Sequence, residues 1–304
     1  MLEDDSGRIC LVGEIFDQYV LVTGCIAAVL GTENSDGEFD VIDVKFADLA
    51  PQPERWELSK QKEEDVEMTG TPSPGRRKKI AIVSGLEFSG SDTSYVMELN
   101  LLLEFLLGEA LDPTTQGELA HISRLIIAGN STVPGEEVVE KKAMKKYGYD
   151  SSSYNALPSQ LFDDFLSELL PSMPITLLPG ASDPANSSYP QQPIHAAMFP
   201  KAKTYTSIPD AAEPGWLDNV TNPWEGEVEG WRFLGTGGQN IDDMAKYVDS
   251  DDRLGMMEAM CRWRCSAPTA PDTLCKLPPP FHPINLLTLP NQGPTPSKTT
   301  SLLS

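Results

Sequence analysis

The turn Gly180-Ala181-Ser182-Asp183-Pro184 follows the apolar run Ile175-Thr176-Leu177-Leu178 and carries one carboxylate, Asp183. Ligands of open α/β sheets sit beyond the carboxyl ends of strands, so hydrolytic or metal chemistry would be sought at this turn. A two-metal hydrolytic centre needs several carboxylate, Asn and His ligands. The chain has three histidines, His121, His195 and His282, one at the start of a strand-like run and one in a proline-rich tail. They do not supply a dinuclear site. A single-metal or metal-free hydrolase using Asp183 and Asn130 is the alternative, against which Asp before Pro commonly shapes a turn. Cys261-x-x-x-Cys265 with Cys275 and His282 can be drawn as a zinc site, but the spacing is not a standard one, and ordinary buried thiols are the plainer reading. Gly235-Thr236-Gly237-Gly238 looks superficially like a phosphate-cradling loop. It lacks the spacing and the Lys of a P-loop, and reads better as a tight strand-to-helix turn leading into Gln239 and Asn240.

These residues need a frame. Ile80 to Leu86, Ile122 to Ala128 and Ile175 to Leu178 are apolar runs ending in Ser84-Gly85-Leu86, Gly129-Asn130 and Pro179-Gly180, and each reads as a buried strand entering a turn. Between them lie two helical patterns. The first carries Tyr95, Val96, Leu99, Leu102, Leu103, Phe105 and Leu106, with Ser91 or Asp92 as cap and Gly108 as stop. The second carries Leu161, Phe162, Phe165, Leu166, Leu169 and Leu170. Strand, helix, strand, helix, strand predicts a parallel sheet with flanking helices. Trp231 to Leu234 is a further short strand, and helices are expected at Ile241 to Tyr247 and Leu254 to Arg264. The N-terminal segment differs. Its β-branched runs Ile9 to Gly13, Tyr19 to Gly31 and Phe39 to Val44 are broken by glycines and by the turn Ser35-Asp36-Gly37, which predicts a small barrel of short strands.

The chain has 304 residues, 40% hydrophobic and 22% charged, with a formal net charge of −22. That permits one or two domains with real cores. An acidic chain is poorly suited to gripping phosphates on its own and favours protein partners, so single-strand binding through Phe16, Tyr19, Phe39 and Phe46, with only Arg8 and Lys45 nearby, is the weaker use of these aromatics. Five cysteines, irregularly spaced, fit a reducing compartment. No stretch approaches the ~18 apolar residues of a membrane span.

The wording of several stretches resembles the non-catalytic B subunits of eukaryotic replicative DNA polymerases, and among them the delta branch. Leu2-Glu3-Asp4-Asp5-Ser6-Gly7-Arg8-Ile9, Phe46-Ala47-Asp48-Leu49-Ala50-Pro51, Leu178-Pro179-Gly180-Ala181-Ser182-Asp183-Pro184, Thr221-Asn222-Pro223-Trp224, Phe233 to Ile241 and Ala267-Pro268-Thr269-Ala270-Pro271-Asp272-Thr273-Leu274 carry the resemblance, in the family order. It implies an α+β chain of two domains: a partial OB-fold β-barrel over 1–53, then a calcineurin-like α/β phosphodiesterase sandwich lacking its metal centre over 80–274. The implied metal-site positions read Ser84 and Leu86 for Asp-x-His, Asn130 after Gly129 for Gly-Asp, and Ala181 and Ser182 after Gly180 for Asn-His. Gly235, Gly238, Gln239 and Asn240 belong to its signature loops, with Asp183, Pro184, Asn222 and Pro223. The implied role is a scaffold without cofactor, binding the C-terminal domain of the catalytic subunit of DNA polymerase delta and a third, elongated subunit. It would work in the nucleus, touch DNA at most indirectly, and touch no membrane. Met198 and Phe199 are candidate contact residues, with the domain core as the equal alternative. A divergent metallophosphoesterase and an OB-type single-strand DNA binder are the competing readings.

Residues 54–79 are rich in charge and proline and predict a disordered linker. Within it Thr71 and Ser73 precede prolines as candidate phosphorylation sites, and Arg76-Arg77-Lys78-Lys79 is a candidate import patch. Residues 276–304 hold seven prolines and no acidic residue. They depart from the resemblance, and a divergent, disordered tail over 275–304 is expected. By comparison with the family pattern the chain is expected to be truncated at both ends.

Overall fold

The computed structural model describes residues 1–4, 7–51, 78–90, 96–109, 112–133, 155–206 and 215–274. Thr71, Ser73, Arg76 and Arg77, most of the 54–79 linker, Cys275, His282 and the 275–304 tail lie outside the described residues. The described residues divide into two compact units. One falls within Met1–Gln52 and Ile241–Thr273, the other within Pro53–Asn240 with Leu274. Residues 241–273, joined to the second domain in the sequence reading, therefore pack in the first unit.

The chain begins with a hairpin of β1 (Leu2–Asp4) and β2 (Gly7–Ile9). β3 (Leu11–Val12), β4 (Ala28–Glu33) and β5 (Phe39–Lys45) form a three-stranded sheet in the order β3-β5-β4, with β4 antiparallel and β3 parallel to β5. The turn at Gly37 has φ 77, a backbone conformation glycine adopts without strain. Of the expected run from Tyr19 to Gly31 only the last four residues, from Ala28 on, are in a strand. Val22 and Cys25 pack instead on a helical cluster described below, and Gly24 turns with φ 90 directly against the carbonyl of Pro268.

The second unit is built on four parallel strands: β6 (Lys79–Val83), β7 (Ile122–Ala128), β8 (Ile175–Leu178) and β9 (Leu217–Asn219), in sequential order. Helix α1 (Val96–Leu107) ends at Gly108, φ 74, as its sequence predicts. Helix α2 (Pro113–Leu119) was not expected. Asp112 caps it through the backbone N–H groups of Thr114 and Thr115, with Pro113 at its start. Helix α3 (Leu157–Leu169) follows. The pleat sends alternate strand residues to opposite faces. Leu125, Ile127, Ile175 and Leu177 pack with Phe162, Leu166 and Leu169 of α3, while Ile126 and Leu178 pack with Trp224 and Phe233. Those aromatics sit on a hairpin, β10 (Trp224–Val228) and β11 (Trp231–Gly235), turned at Glu229 and Gly230, both with positive φ. Burying a side chain such as Leu166 or Phe162 contributes about 1.5–3 kcal/mol.

Helix α4 (Gln239–Met244) leads back to the first unit, and α5 (Arg253–Trp263) completes it. Met244, Met256, Met260, Trp263 and Cys265 form its core with Val22, Cys25 and Phe46. The Arg264 guanidinium donates to the carbonyls of Ala47, Asp48 and Leu49, and Arg262 pairs with Asp48 at 2.6 Å, so the Phe46-Ala47-Asp48-Leu49 phrase is tied to the end of α5.

Candidate functional site

Every strand-end position singled out in the sequence of the second unit lies at the carboxyl end of the parallel sheet. Ser84 follows β6, Gly129 and Asn130 follow β7, Gly180 to Asp183 follow β8, and Asn222 follows β9. The strand ends approach closely because three of the residues there are glycines. A Cβ on Gly180 would lie 2.2 Å from the Asn130 nitrogen, one on Gly129 would lie 2.9 Å from the Gly180 Cα, and one on Gly237 would lie 2.7 Å from the Pro179 oxygen.

Asp183 is buried at the centre. Its Oδ1 accepts from the backbone N–H of Ser131 at 2.8 Å and of Thr132 at 2.9 Å, and from the Thr132 hydroxyl at 3.3 Å. Its Oδ2 accepts from the Gly180 N–H at 2.8 Å. Three donors thus crowd Oδ1 and one reaches Oδ2, so both oxygens of the carboxylate are engaged by the protein. Burial pushes its pKa above the ordinary carboxylate value, against the pull of these hydrogen bonds. Asn130, held at φ 53, accepts from the backbone and hydroxyl of Ser182, both at 3.3 Å. Ser84 donates to the Ala128 carbonyl at 2.8 Å.

A second, amide-based network adjoins the first. The Asn222 side chain accepts from the Gly237 N–H at 3.1 Å, and its two N–H donors are shared among Pro179 O, Gln191 Oε1 and Gln239 Oε1, all 2.8–3.0 Å from Nδ2. Gln239 donates to the same Gln191 oxygen at 2.8 Å, and the Gln191 amide donates to Gly180 O at 3.1 Å and Asn186 O at 3.0 Å. Gln191 and Asn222 also exchange backbone hydrogen bonds. Gln191 carries as much of this network as Asn222, yet its sequence context gave no signal. A buried glutamine is recognised only by the groups it faces.

The other candidates differ in what they do. Leu86 is a core side chain, Ala181 is exposed, and half-buried Ser182 is the donor to Asn130 already described. His195 is used locally, its Nδ1 accepting from the Ala197 N–H at 3.2 Å. Phe199 is fully buried and packs edge-to-face on Phe162 with ring centroids 5.5 Å apart. The expected contact surface thus loses Phe199 to the core, because it fills the space beside α3, and only half-buried Met198 keeps part of its surface. Gly235 and Gly238 frame the strand-to-helix turn between β11 and α4, Gly238 with φ 96, as the glycine spacing predicts. Of the drawn zinc ligands, Cys261 is exposed and Cys265 buried, with burial pushing the Cys265 thiol pKa up. Among the described residues no three His, Cys, Asp or Glu side chains come together as metal ligands would, and no helix is long and apolar enough to cross a membrane.

The profile of the family described as the B subunit of DNA polymerase alpha/epsilon matches residues 80–297. The chain belongs to this family. Residues 1–44 match the DNA polymerase delta subunit OB-fold domain, as the reading of the N-terminal segment anticipates. The B-subunit match runs past residue 274, where the resemblance seen in the sequence stops. Among curated relatives, the DNA polymerase delta small subunit of Oryza sativa subsp. japonica is 35% identical over 274 residues, covering 90% of this chain and 57% of the relative. The Arabidopsis thaliana small subunit is 34% identical, covering 90% and 56%. That of Saccharomyces cerevisiae is 31% identical, covering 90% and 55%. The chain thus spans little more than half the length of these relatives. Within this member of the family, the Gly180 to Pro184 and Asn222-Pro223 phrases are the two centres of the strand-end networks.

Proposed function

We propose that this chain is a non-catalytic accessory subunit of DNA polymerase delta. In this reading it joins a partial OB-fold to a calcineurin-like phosphodiesterase domain whose metal site is degenerate, with Ser84, Leu86, Asn130, Ala181 and Ser182 at the lost ligand positions. It holds the C-terminal domain of the catalytic subunit and a third, elongated subunit in one assembly in the nucleus. The net charge of −22 supports contacts with protein in preference to autonomous DNA binding.

One observation carries the reading. The only carboxylate in the Gly180 to Pro184 turn is buried and has both oxygens engaged by the protein itself, Oδ1 by three donors and Oδ2 by the Gly180 N–H. A general base or metal ligand needs a lone pair directed at the proton or the metal. Asp183 instead binds the β7 and β8 ends together.

The test is co-purification of the full chain with the C-terminal domain of a polymerase delta catalytic subunit at physiological salt. A stable equimolar complex is expected. A chain that is folded by circular dichroism but runs apart from that domain and from the third subunit refutes the reading. In parallel, hydrolysis of bis-p-nitrophenyl phosphate with added Mn²⁺ should not exceed the buffer rate. Turnover that Asp183→Asn abolishes would favour the metallophosphoesterase.

A further inference from the structure

Helix α1 is apolar on more of its circumference than the fold uses. Leu99, Leu102, Leu103 and Leu106 face the core of the second unit. Met97, Leu101 and Phe105, spaced four apart, form a stripe on another side and are 70%, 53% and 44% exposed. At a rise of 1.5 Å per residue the stripe is about 12 Å long. A contiguous apolar stripe outside the core-facing side, bordered by charge, is a mark of a contact surface. The neighbouring helix α3, packed on α1, adds exposed Leu157 and Leu161, again four apart.

Beside the stripe is a cavity of about 300 Å³, floored by Leu86, Leu99 and Leu102 and rimmed by Glu87 and Glu98. Glu98 stands between stripe and cavity, and Glu104 flanks the stripe's other side. An apolar floor under two carboxylates suits the aliphatic stem and cationic head of one Arg or Lys.

We infer that α1 and this cavity form the docking surface for a basic amphipathic helix of another polymerase subunit. The partner helix lays an apolar row along Met97, Leu101 and Phe105 and puts a basic side chain between Glu87 and Glu98. Charge decides among occupants. A second copy of this chain, meeting α1 through a two-fold axis, would set Glu98 and Glu104 against acidic groups of a chain with net charge −22. The inference rests on the assembly reading above and adds to it the surface and the partner's chemistry.

The experiment uses the full chain with the catalytic subunit's C-terminal domain and the third subunit, measuring Kd for each. Two variants are compared with wild type: Leu101→Asp with Phe105→Asp, and Glu87→Lys with Glu98→Lys. All four side chains lie at or near the surface, so unchanged melting curves are expected and serve as the folding control. Each variant should weaken binding to one of the two partners by about tenfold or more. Reversing a basic residue of the partner helix should restore binding to the Lys variant. Wild-type binding with both variants equally tight overturns the inference and leaves the assembly reading intact. Wild-type chain that binds neither subunit overturns both. A dimer of the chain alone that Leu101→Asp disrupts assigns the surface to a second copy and also overturns the inference.

Discussion

Removing the Asp183 side chain should unfold the carboxyl end of the sheet. In Asp183→Ala three backbone N–H groups, those of Ser131, Thr132 and Gly180, lose their acceptor. Each buried donor left unmet costs about 1–3 kcal/mol. Two effects offset part of this: water can enter the space, and the burial of a charge is relieved. A net loss of about 3 kcal/mol follows from the lower end of that range. Asp183→Asn keeps the shape and one acceptor, but turns an N–H₂ toward donors and should cost about 1–3 kcal/mol. Urea unfolding followed by tryptophan fluorescence reads the second unit well, since Trp216, Trp224 and Trp231 belong to it. With m of about 1–3 kcal/mol/M, Asp183→Ala should lower the midpoint by roughly 1–3 M at unchanged m. The expected order is wild type, Asn, Ala. An Asn variant as stable as wild type, or more so, would show that the carboxylate is not the clamp described, and would refute the reasoning.

Gly180→Ala should be among the worst single methyl additions in the chain, because its Cβ would meet backbone 2.2 Å away. A loss of about 1–3 kcal/mol is expected from the same urea assay. In the first unit, Asp243 is buried, which raises its pKa, but bonds from Thr269, Thr273 and Lys246 draw it below the ordinary 3.8. A carboxyl lowered on folding stabilises above its unfolded value and loses that contribution as pH falls through the folded one. Acid unfolding of Asp243→Asn, followed by circular dichroism, should therefore show a shallower loss below about pH 4 than wild type. Burial pushes the Cys25 thiol up to about 11, whereas Cys10 and Cys261 are exposed. At pH 8 iodoacetamide should label Cys10 and Cys261 first, with Cys25 slower by roughly a hundredfold, read by peptide mass spectrometry.

Helix α3 and strands β6 to β8 were legible in the sequence because their signals are local: a 3.6-residue apolar period, and short apolar runs closed by Ser-Gly, Gly-Asn or Pro-Gly. The convergence of Ser84, Asn130 and Gly180 to Asp183 followed from strand order, since parallel strands deliver their carboxyl ends to one edge. Helix α2 carries only the short signal Asp112-Pro113, a cap and a helix start, with too few apolar residues after it to show a period. The β10 half of the hairpin was hidden by its glycine and by a turn that needs positive φ at Glu229, a position with no turn-forming side chain.

What the sequence by itself determined is which residue types stand at the strand ends. Ser84, Asn130 and a Gly180 to Pro184 turn with one carboxylate, Asp183, are fixed by position in the chain. What only the tertiary structure decided is where side chains of one type go. Phe199 and Phe105 are both aromatic, yet one fills the core beside Phe162 and the other stays 44% exposed on α1. Gln191, unremarkable in its own stretch, closes a network across three loops, and residues 241–273 pack with a segment some two hundred positions earlier. Periodicity and turn chemistry report on neighbours along the chain, whereas burial and hydrogen-bond satisfaction depend on neighbours in space, which are fixed only when the whole unit has packed.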